Sequence, residues 1–217
     1  VDVPVIADAD TGYGNPLSVQ RTVREYEHAG IAAIQIEDQV SPKKCGHFAG
    51  KEVVAEEEMV QKLRAAVAAR CDPDLVLIAR TDSLATHGYD AAVARARLYA
   101  ANGADVIFVE APTTREQIAR LPQDVHAPLL FNMTEGAKTP LVSVHELEGY
   151  GYRIVIYPNT ALRVAMRAVQ DALAVLKSEE SSAALLPRMA TWEERQRVVR
   201  FAEYEKLDQQ FVRSKPT

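Results

Sequence analysis

The stretch Ile36-Glu37-Asp38-Gln39-Val40-Ser41-Pro42-Lys43-Lys44-Cys45-Gly46-His47 puts carboxylates, a thiol and an imidazole close together in the chain. The apolar run 31–36 stops at Glu37 and Asp38, and a cationic segment carrying Cys45 and His47 follows at once. A strand that delivers acids to an edge, followed by a loop with an acid/base pair, is one way to build an active site. A plain strand end with solvated acids is the alternative, and only the rest of the chain separates the two. Cys45 lies between Lys44 and Gly46, and cationic neighbours favour the thiolate. The adjacent glycine lets such a loop close over a ligand. Cys45 is therefore suited to exchange a proton with a carbon acid. Cys71, in Arg-Cys-Asp-Pro, has no such setting, and His28, His87, His126 and His145 read as structural or solvated.

Further acids stand at the ends of other apolar runs. Asp8 and Asp10 close the run 3–7, and Glu110 closes the run 106–109. If these ends meet, Asp8, Asp10, Glu37 and Glu110 crowd one place, where uncompensated carboxylates repel and take up protons. A hard cation relieves this. Mg²⁺ takes one or two direct carboxylates and keeps waters that further acids can hold. Asp8 is the expected direct ligand, with Asp10, Glu37 and Glu110 in support. The competing reading is that Asp8 and Asp10 only make Asx-turns or cap a helix. Arg80 ends a third run, and its fork suits a substrate carboxylate or, alternatively, an ion pair within the acid cluster.

Six apolar runs can position these residues: 3–7, 31–36, 75–79, 106–109, 128–131 and 154–156. Between them lie helical spacings, the clearest over 17–30, 56–70 and 89–101. A short helix is predicted over 114–121, a weak one over 144–150, and a long one carries Leu162, Met166, Val169, Leu173 and Leu176 on one stripe. Strand–helix alternation predicts a parallel sheet with helical crossovers, its strands buried on both faces. Each run ends in residues able to do chemistry: Asp8 and Asp10, Glu37 and Asp38, Arg80 and Asp82, Glu110, Asn132, Asn159. In a (β/α)8 TIM-type barrel those ends converge on one face. No G-x-G-x-x-G follows the first run, which weakens the dinucleotide-binding alternative. Six runs fall short of the roughly eight strands of a barrel, so two βα units are expected before Val1. Residues 1–180 form the expected catalytic barrel. Residues 181–217 form an extra helical segment, opened by the capping box Thr191-Trp192-Glu193-Glu194, with an apolar stripe of Val198, Phe201, Leu207 and Phe211 that must dock on its own barrel or on a neighbouring subunit.

The bulk properties exclude several classes. The chain has 217 residues, 47% of them hydrophobic, enough for one sizeable core. Its net charge of −5, without basic runs interleaved with aromatics, argues against nucleic acid. No apolar run reaches membrane-spanning length. Two cysteines are too few for a disulfide framework, and a cytoplasmic setting fits them.

Four segments together make the reading specific: Ala7-Asp8-Ala9-Asp10-Thr11-Gly12-Tyr13-Gly14, Ile36-Glu37-Asp38-Gln39, Lys43-Lys44-Cys45-Gly46-His47 and Ala79-Arg80-Thr81-Asp82. Over essentially its whole length the chain resembles the isocitrate lyase/phosphoenolpyruvate mutase superfamily. The cysteine loop is similar to that of its lyase branch, and the short loops resemble its methylisocitrate and dimethylmalate lyases. The resemblance implies the barrel, Mg²⁺ (Mn²⁺ substituting), and a homotetramer with exchanged C-terminal helices. It implies retro-aldol cleavage of a 2-hydroxy di- or tricarboxylate, with the metal at the 2-hydroxycarboxylate end. Asp8, Asp10 and Glu37 would serve the metal. Arg80, Asn132, Thr134, Gly46 and His47 would hold substrate, and Cys45 would protonate the carbanion, with His47, Arg80 and Glu110 also in the catalytic group. Gly136 stands where methylisocitrate lyases carry an aromatic, which leans towards malate-type substrates. Two other readings share this fold: a hydrolase splitting oxaloacetate to oxalate and acetate, and a barrel that binds a carboxylate without turnover.

Overall fold

Each of the six apolar runs forms a strand in the computed structural model, which describes residues 2–46 and 50–212. The strands are β1 (Ile6–Asp8), β2 (Ala33–Glu37), β3 (Val76–Thr81), β4 (Val106–Val109), β5 (Leu129–Asn132) and β6 (Ile154–Ile156). They pair in sequence order, all parallel, as a curled half-barrel. Among the described residues β1 and β6 each pair on one side only, so this sheet of six is not the closed eight-stranded ring of a complete barrel. Val3, Val5 and Ile6 beside the β1 edge are exposed.

The chain resolves into two units, Val1–Ala161 and Leu162–Thr217. In the first, helices follow the strands: α1 (Pro16–His28), α2 (Glu56–Ala69), α3 (Ser83–His87), α4 (Tyr89–Ala101), α5 (Arg115–Val125) and α6 (Val144–Tyr150). Asn15 caps α1, accepting the Leu17 and Ser18 amides at 3.1 Å, with Pro16 in the first turn, where its missing donor costs nothing. The sheet's two faces divide by the period of two. Ile34, Ile36, Leu77, Ala79, Ile107, Val109, Leu129 and Phe131 pack into the large core shared with the helices. Ala33, Ile78, Val106, Phe108 and Leu130 form a smaller cluster on the opposite face.

Three boundaries depart from the expectation. The short α3 was not foreseen. Helix α5 runs to Val125, through Pro122, where a stop at Leu121 was expected. Proline cannot donate to the carbonyl four residues back. That carbonyl, on Ile118, accepts the Tyr152 hydroxyl at 3.0 Å instead, so the acceptor Pro122 leaves free is met. The C-terminal segment is two helices and not one.

In the second unit, the long helix α7 (Thr160–Glu179) leads to a 3-10 turn at Ala183–Arg188, then α8 (Trp192–Val198) and α9 (Phe201–Phe211). The predicted capping box is present, with Thr191 and Glu194 bonding reciprocally. The break falls at Arg200, which takes φ 54° while its guanidinium holds Glu203 at 2.8 Å. Leu185 is buried, but the α7 stripe from Leu162 to Leu176 is open to solvent. So are Phe201, Tyr204, Leu207 and Phe211 on α9. No helix among the described residues is long and apolar enough to cross a membrane.

Candidate active site

The strand ends do converge. Glu37 and Arg80 are neighbours in register on β2 and β3, and Glu37 Oε2 lies 3.6 Å from Arg80 Nη1. Asn132, on β5, directs its amide at both Glu110 oxygens, 3.3 and 3.4 Å away. The Thr134 hydroxyl in turn donates to Asn132 Oδ1 at 2.9 Å. The guanidinium of Arg80 lies 5.1 Å from the centre of the Phe108 ring, the top of the smaller apolar cluster. Asp82 grips Arg80 with both oxygens, at 2.9 Å to Nε and 3.2 Å to Nη2. Burial works to deprotonate this arginine, but Glu110, Asp82 and Glu37 outweigh it and hold it firmly charged. Asp82 is also buried, which works against its charge, yet Arg80 and Lys51 keep its carboxyl below the usual range.

The metal candidates meet around a side chain that sequence reasoning passed over. The Lys43 ammonium lies 2.5 Å from Asp10, 3.4 Å from Glu37 and 3.5 Å from Asp8. Burial disfavours its charge, but those three acids keep it protonated, well above the ordinary lysine range. Glu37 is fully buried, and burial pushes its carboxyl up to about 7 against the pull of Arg80 and Lys43. Its Oε1 has no hydrogen-bond partner among the described residues. Asp8 does close a local turn: the Asp10 amide donates to Asp8 Oδ1 at 2.8 Å, and Asp10 adopts φ 49°.

These donors fit a hard cation. All are carboxylate oxygens, a positive charge already sits among them, and one buried oxygen is left unsatisfied. Among the described residues no three acid, imidazole or thiol groups close on one point tightly enough to hold a metal alone.

Asp38, beside Glu37 in sequence, belongs elsewhere. The period of two turns it to the opposite face, where it is fully buried. It accepts the Thr81 hydroxyl at 2.7 Å, the Tyr99 hydroxyl at 2.8 Å, the Asp82 amide at 2.9 Å and Arg95 at 3.2 Å. It ties the ends of β2 and β3 to α4 and is not a site acid. Asn159 is exposed beyond β6.

The cysteine loop lies over this cluster. Cys45 is exposed and Gly46 buried; His47 lies outside the described residues. A Cβ on Gly46 would fall 2.5 Å from Arg80 Nη2 and closer still to Glu110 Oε1, so the loop backbone touches the pair directly. Lys51, also unforeseen, donates to the Gly46 carbonyl and to Asp82. Lys43 stood in the cysteine-loop segment without a role assigned to it, and Lys51 carried no signal beyond its charge; each joins a residue five or six positions away to acids much further off in the chain. A cavity of about 620 Å³ opens beside Gly46, lined in part by Lys51, Thr86, Thr113 and Lys138.

Comparison with known proteins places the chain in a family. The family model described as phosphoenolpyruvate phosphomutase matches residues 1–177. The 2,3-dimethylmalate lyase of Eubacterium barkeri is 50% identical over 192 residues, 88% of this chain and 66% of that protein. The 2-methylisocitrate lyase of Aeropyrum pernix is 46% identical over 213 residues, 98% of this chain and 68% of that protein. The chain thus spans about two thirds of the length of these curated relatives. A crystal structure of 2,3-dimethylmalate lyase superposes with a TM-score of 0.87 at 46% identity, covering 96% of this chain and 70% of the other. Oxaloacetate acetylhydrolase bound to 3,3-difluorooxalacetate gives 0.87 at 37% identity, over 95% and 70%. Phosphonopyruvate hydrolase with oxalate and Mg²⁺ gives 0.84 at 31%, over 98% and 74%. With its acids, arginine and cysteine loop on one face of a parallel sheet and these likenesses along its length, the chain belongs to the phosphoenolpyruvate mutase/isocitrate lyase superfamily.

Proposed function

We propose that this protein is a Mg²⁺-dependent carbon–carbon lyase that cleaves a 2-hydroxy di- or tricarboxylate of substituted-malate or methylisocitrate type. One observation carries the reading: the loop bearing Cys45 packs its Gly46 backbone onto the Arg80–Glu110 pair, beside the acids gathered at Lys43. Arg80, with Asn132 and Thr134, holds the substrate carboxylates. Glu110 and Asp82 fix the guanidinium so that its remaining donors face the ligand. Asp8, Asp10 and Glu37 would hold a divalent metal, directly or through its waters, and the metal would supply positive charge at the 2-hydroxycarboxylate end. The hydroxyl at C2 passes its proton to a carboxylate of the rim acid cluster and becomes a carbonyl as the C2–C3 bond breaks. The electron pair moves to C3 and its attached carboxylate, and Cys45 delivers a proton there from the loop. The relatives named 2,3-dimethylmalate lyase and 2-methylisocitrate lyase support this chemistry, and Gly136 favours the smaller, malate-type substrate.

A second reading is an oxaloacetate hydrolase, favoured by the likeness to oxaloacetate acetylhydrolase. The two are separated by products: pyruvate plus propionate from 2,3-dimethylmalate, or pyruvate plus succinate from 2-methylisocitrate, against oxalate plus acetate from oxaloacetate. Mg²⁺ binding without turnover of any of the three would leave a carboxylate-binding barrel. The segment 181–217 we assign to docking on a neighbouring subunit, since the α9 aromatics are open to solvent. Light scattering of the whole chain against a chain ending at residue 180 tests this. A tetramer that persists without the segment overturns it.

A further inference from the structure

Lys51 has no part in the scheme above, yet its side chain is 2% exposed. A buried ammonium is costly unless oppositely charged or strongly polar groups meet it. Two groups do, and both lead to the site. Asp82 Oδ1 accepts from Nζ at 2.8 Å, and the same carboxylate grips the Nε and Nη2 of Arg80. The Gly46 carbonyl also accepts from Nζ, and Gly46 follows Cys45 in the loop that lies on Arg80 and Glu110. One ammonium therefore touches the backbone next to the proposed acid and the carboxylate that orients the proposed substrate-binding arginine. Balancing Asp82 alone would need no such reach, because the Arg80 fork already does so.

We propose that Lys51 is a positioning residue: a latch that fixes the Cys45 loop against Arg80, so that the thiol is placed relative to the carboxylate this arginine holds. The catalytic consequence rests on the lyase reading, whereas the latch itself does not. Without the ammonium, Gly46 loses its tie to the end of β3, and the loop moves away from the Arg80–Glu110 pair more often. A charge-assisted hydrogen bond of this kind shifts such an equilibrium by about tenfold or more.

The first measurement needs no turnover. Brief trypsin treatment followed by mass spectrometry reports cleavage after Lys43 and Lys44. The Lys51→Met protein should be cut there about tenfold faster than the parent, a larger increase than at lysines and arginines elsewhere in the chain. Equal or slower cutting overturns the latch. The second measurement uses 2,3-dimethylmalate and Mg²⁺. Lys51→Met should lower kcat about tenfold with KM nearly unchanged, and should cost little more in a Cys45→Ser background, because a residue acting through Cys45 cannot act twice. Effects that multiply in the double variant overturn the positioning role. Should Lys51→Met fail to fold, Lys51→Gln, which keeps a donor, is read by the same two measurements and must fall between parent and full loss. If the parent turns over none of the proposed substrates, the lyase reading falls, and the trypsin comparison still decides the latch.

Discussion

Replacing Gly46 by alanine adds one methyl group at the place where the loop meets the site. The glycine is required there by space, since its neighbours are a buried arginine and a buried glutamate. The new Cβ would lie 2.5 Å from Arg80 Nη2 and closer to Glu110 Oε1, whereas ordinary contact begins near 3.4 Å, so the loop must retreat by about 1 Å. Arg80 cannot move aside cheaply, because Asp82 holds it at 2.9 and 3.2 Å and Phe108 lies beneath it. A misplacement of about 1 Å in a catalytic group costs on the order of 10²-fold in rate. Gly46→Ala should therefore lower kcat/KM about 10²-fold on the lyase substrate. The apolar core is untouched, so the thermal midpoint should shift by only a few degrees. Gly149→Ala is the control: beyond its chain neighbours and the backbone of its own helix, no atom lies within 4 Å of its added methyl. Steady-state kinetics and calorimetry on the parent and both variants provide the data. A Gly46→Ala enzyme with near-parental kcat/KM would show that the loop does not close on Arg80 during turnover.

Cys45→Ser should bind substrate normally and lose about 10²–10⁴-fold in kcat, the usual contribution of a general acid, while Cys71→Ser loses nothing; equal rates for the two variants would remove Cys45 from the chemistry. Burial raises Glu37 to about 7, so a proton competes with Mg²⁺ there. Mg²⁺ affinity should rise with pH through about 7 and level off above it, with proton release in calorimetry; affinity flat from pH 6 to 8 would exclude Glu37 from the metal site. The same raised value makes the Glu37 contribution to stability full below its unfolded pKa and lost as pH rises through about 7. Tyr99→Phe deletes a 2.8 Å donor to the buried Asp38 and should cost about 1.5–3 kcal/mol in denaturant melts without altering KM. A cost near zero would show that Asp38 is satisfied without it.

The strand ends were legible because continuous apolar runs that stop at polar residues leave little choice in a parallel sheet. Asp8, Glu37, Arg80, Glu110 and Asn132 could be placed on one face before any coordinates existed. Asp38 was grouped with Glu37 because adjacency in sequence reads as adjacency in space, whereas in a strand it means opposite faces. Its partners Arg95 and Tyr99 lie 57 and 61 residues away, beyond the reach of any local pattern. Lys43, quoted within the cysteine-loop segment, and Lys51 were given no role for a related reason: a lysine in a polar loop looks solvated until its partners are known. The turn at Arg200 had no glycine or asparagine to mark it, and the capping box at Thr191 suggested a helix without hinting at its length. Pro122 marked a stop that Tyr152 makes unnecessary.

The central claim is carbon–carbon cleavage supported by a divalent cation at the acid cluster. It is tested most directly by proton NMR of the whole chain incubated with 2,3-dimethylmalate, with 2-methylisocitrate and with oxaloacetate, each with Mg²⁺ and with excess EDTA. Pyruvate should accumulate in equal amount with propionate or succinate when Mg²⁺ is present, and EDTA should stop it. Oxalate and acetate from oxaloacetate, with no pyruvate from either hydroxy acid, would contradict the lyase assignment, and cleavage undiminished by EDTA would contradict the role given to Asp8, Asp10 and Glu37.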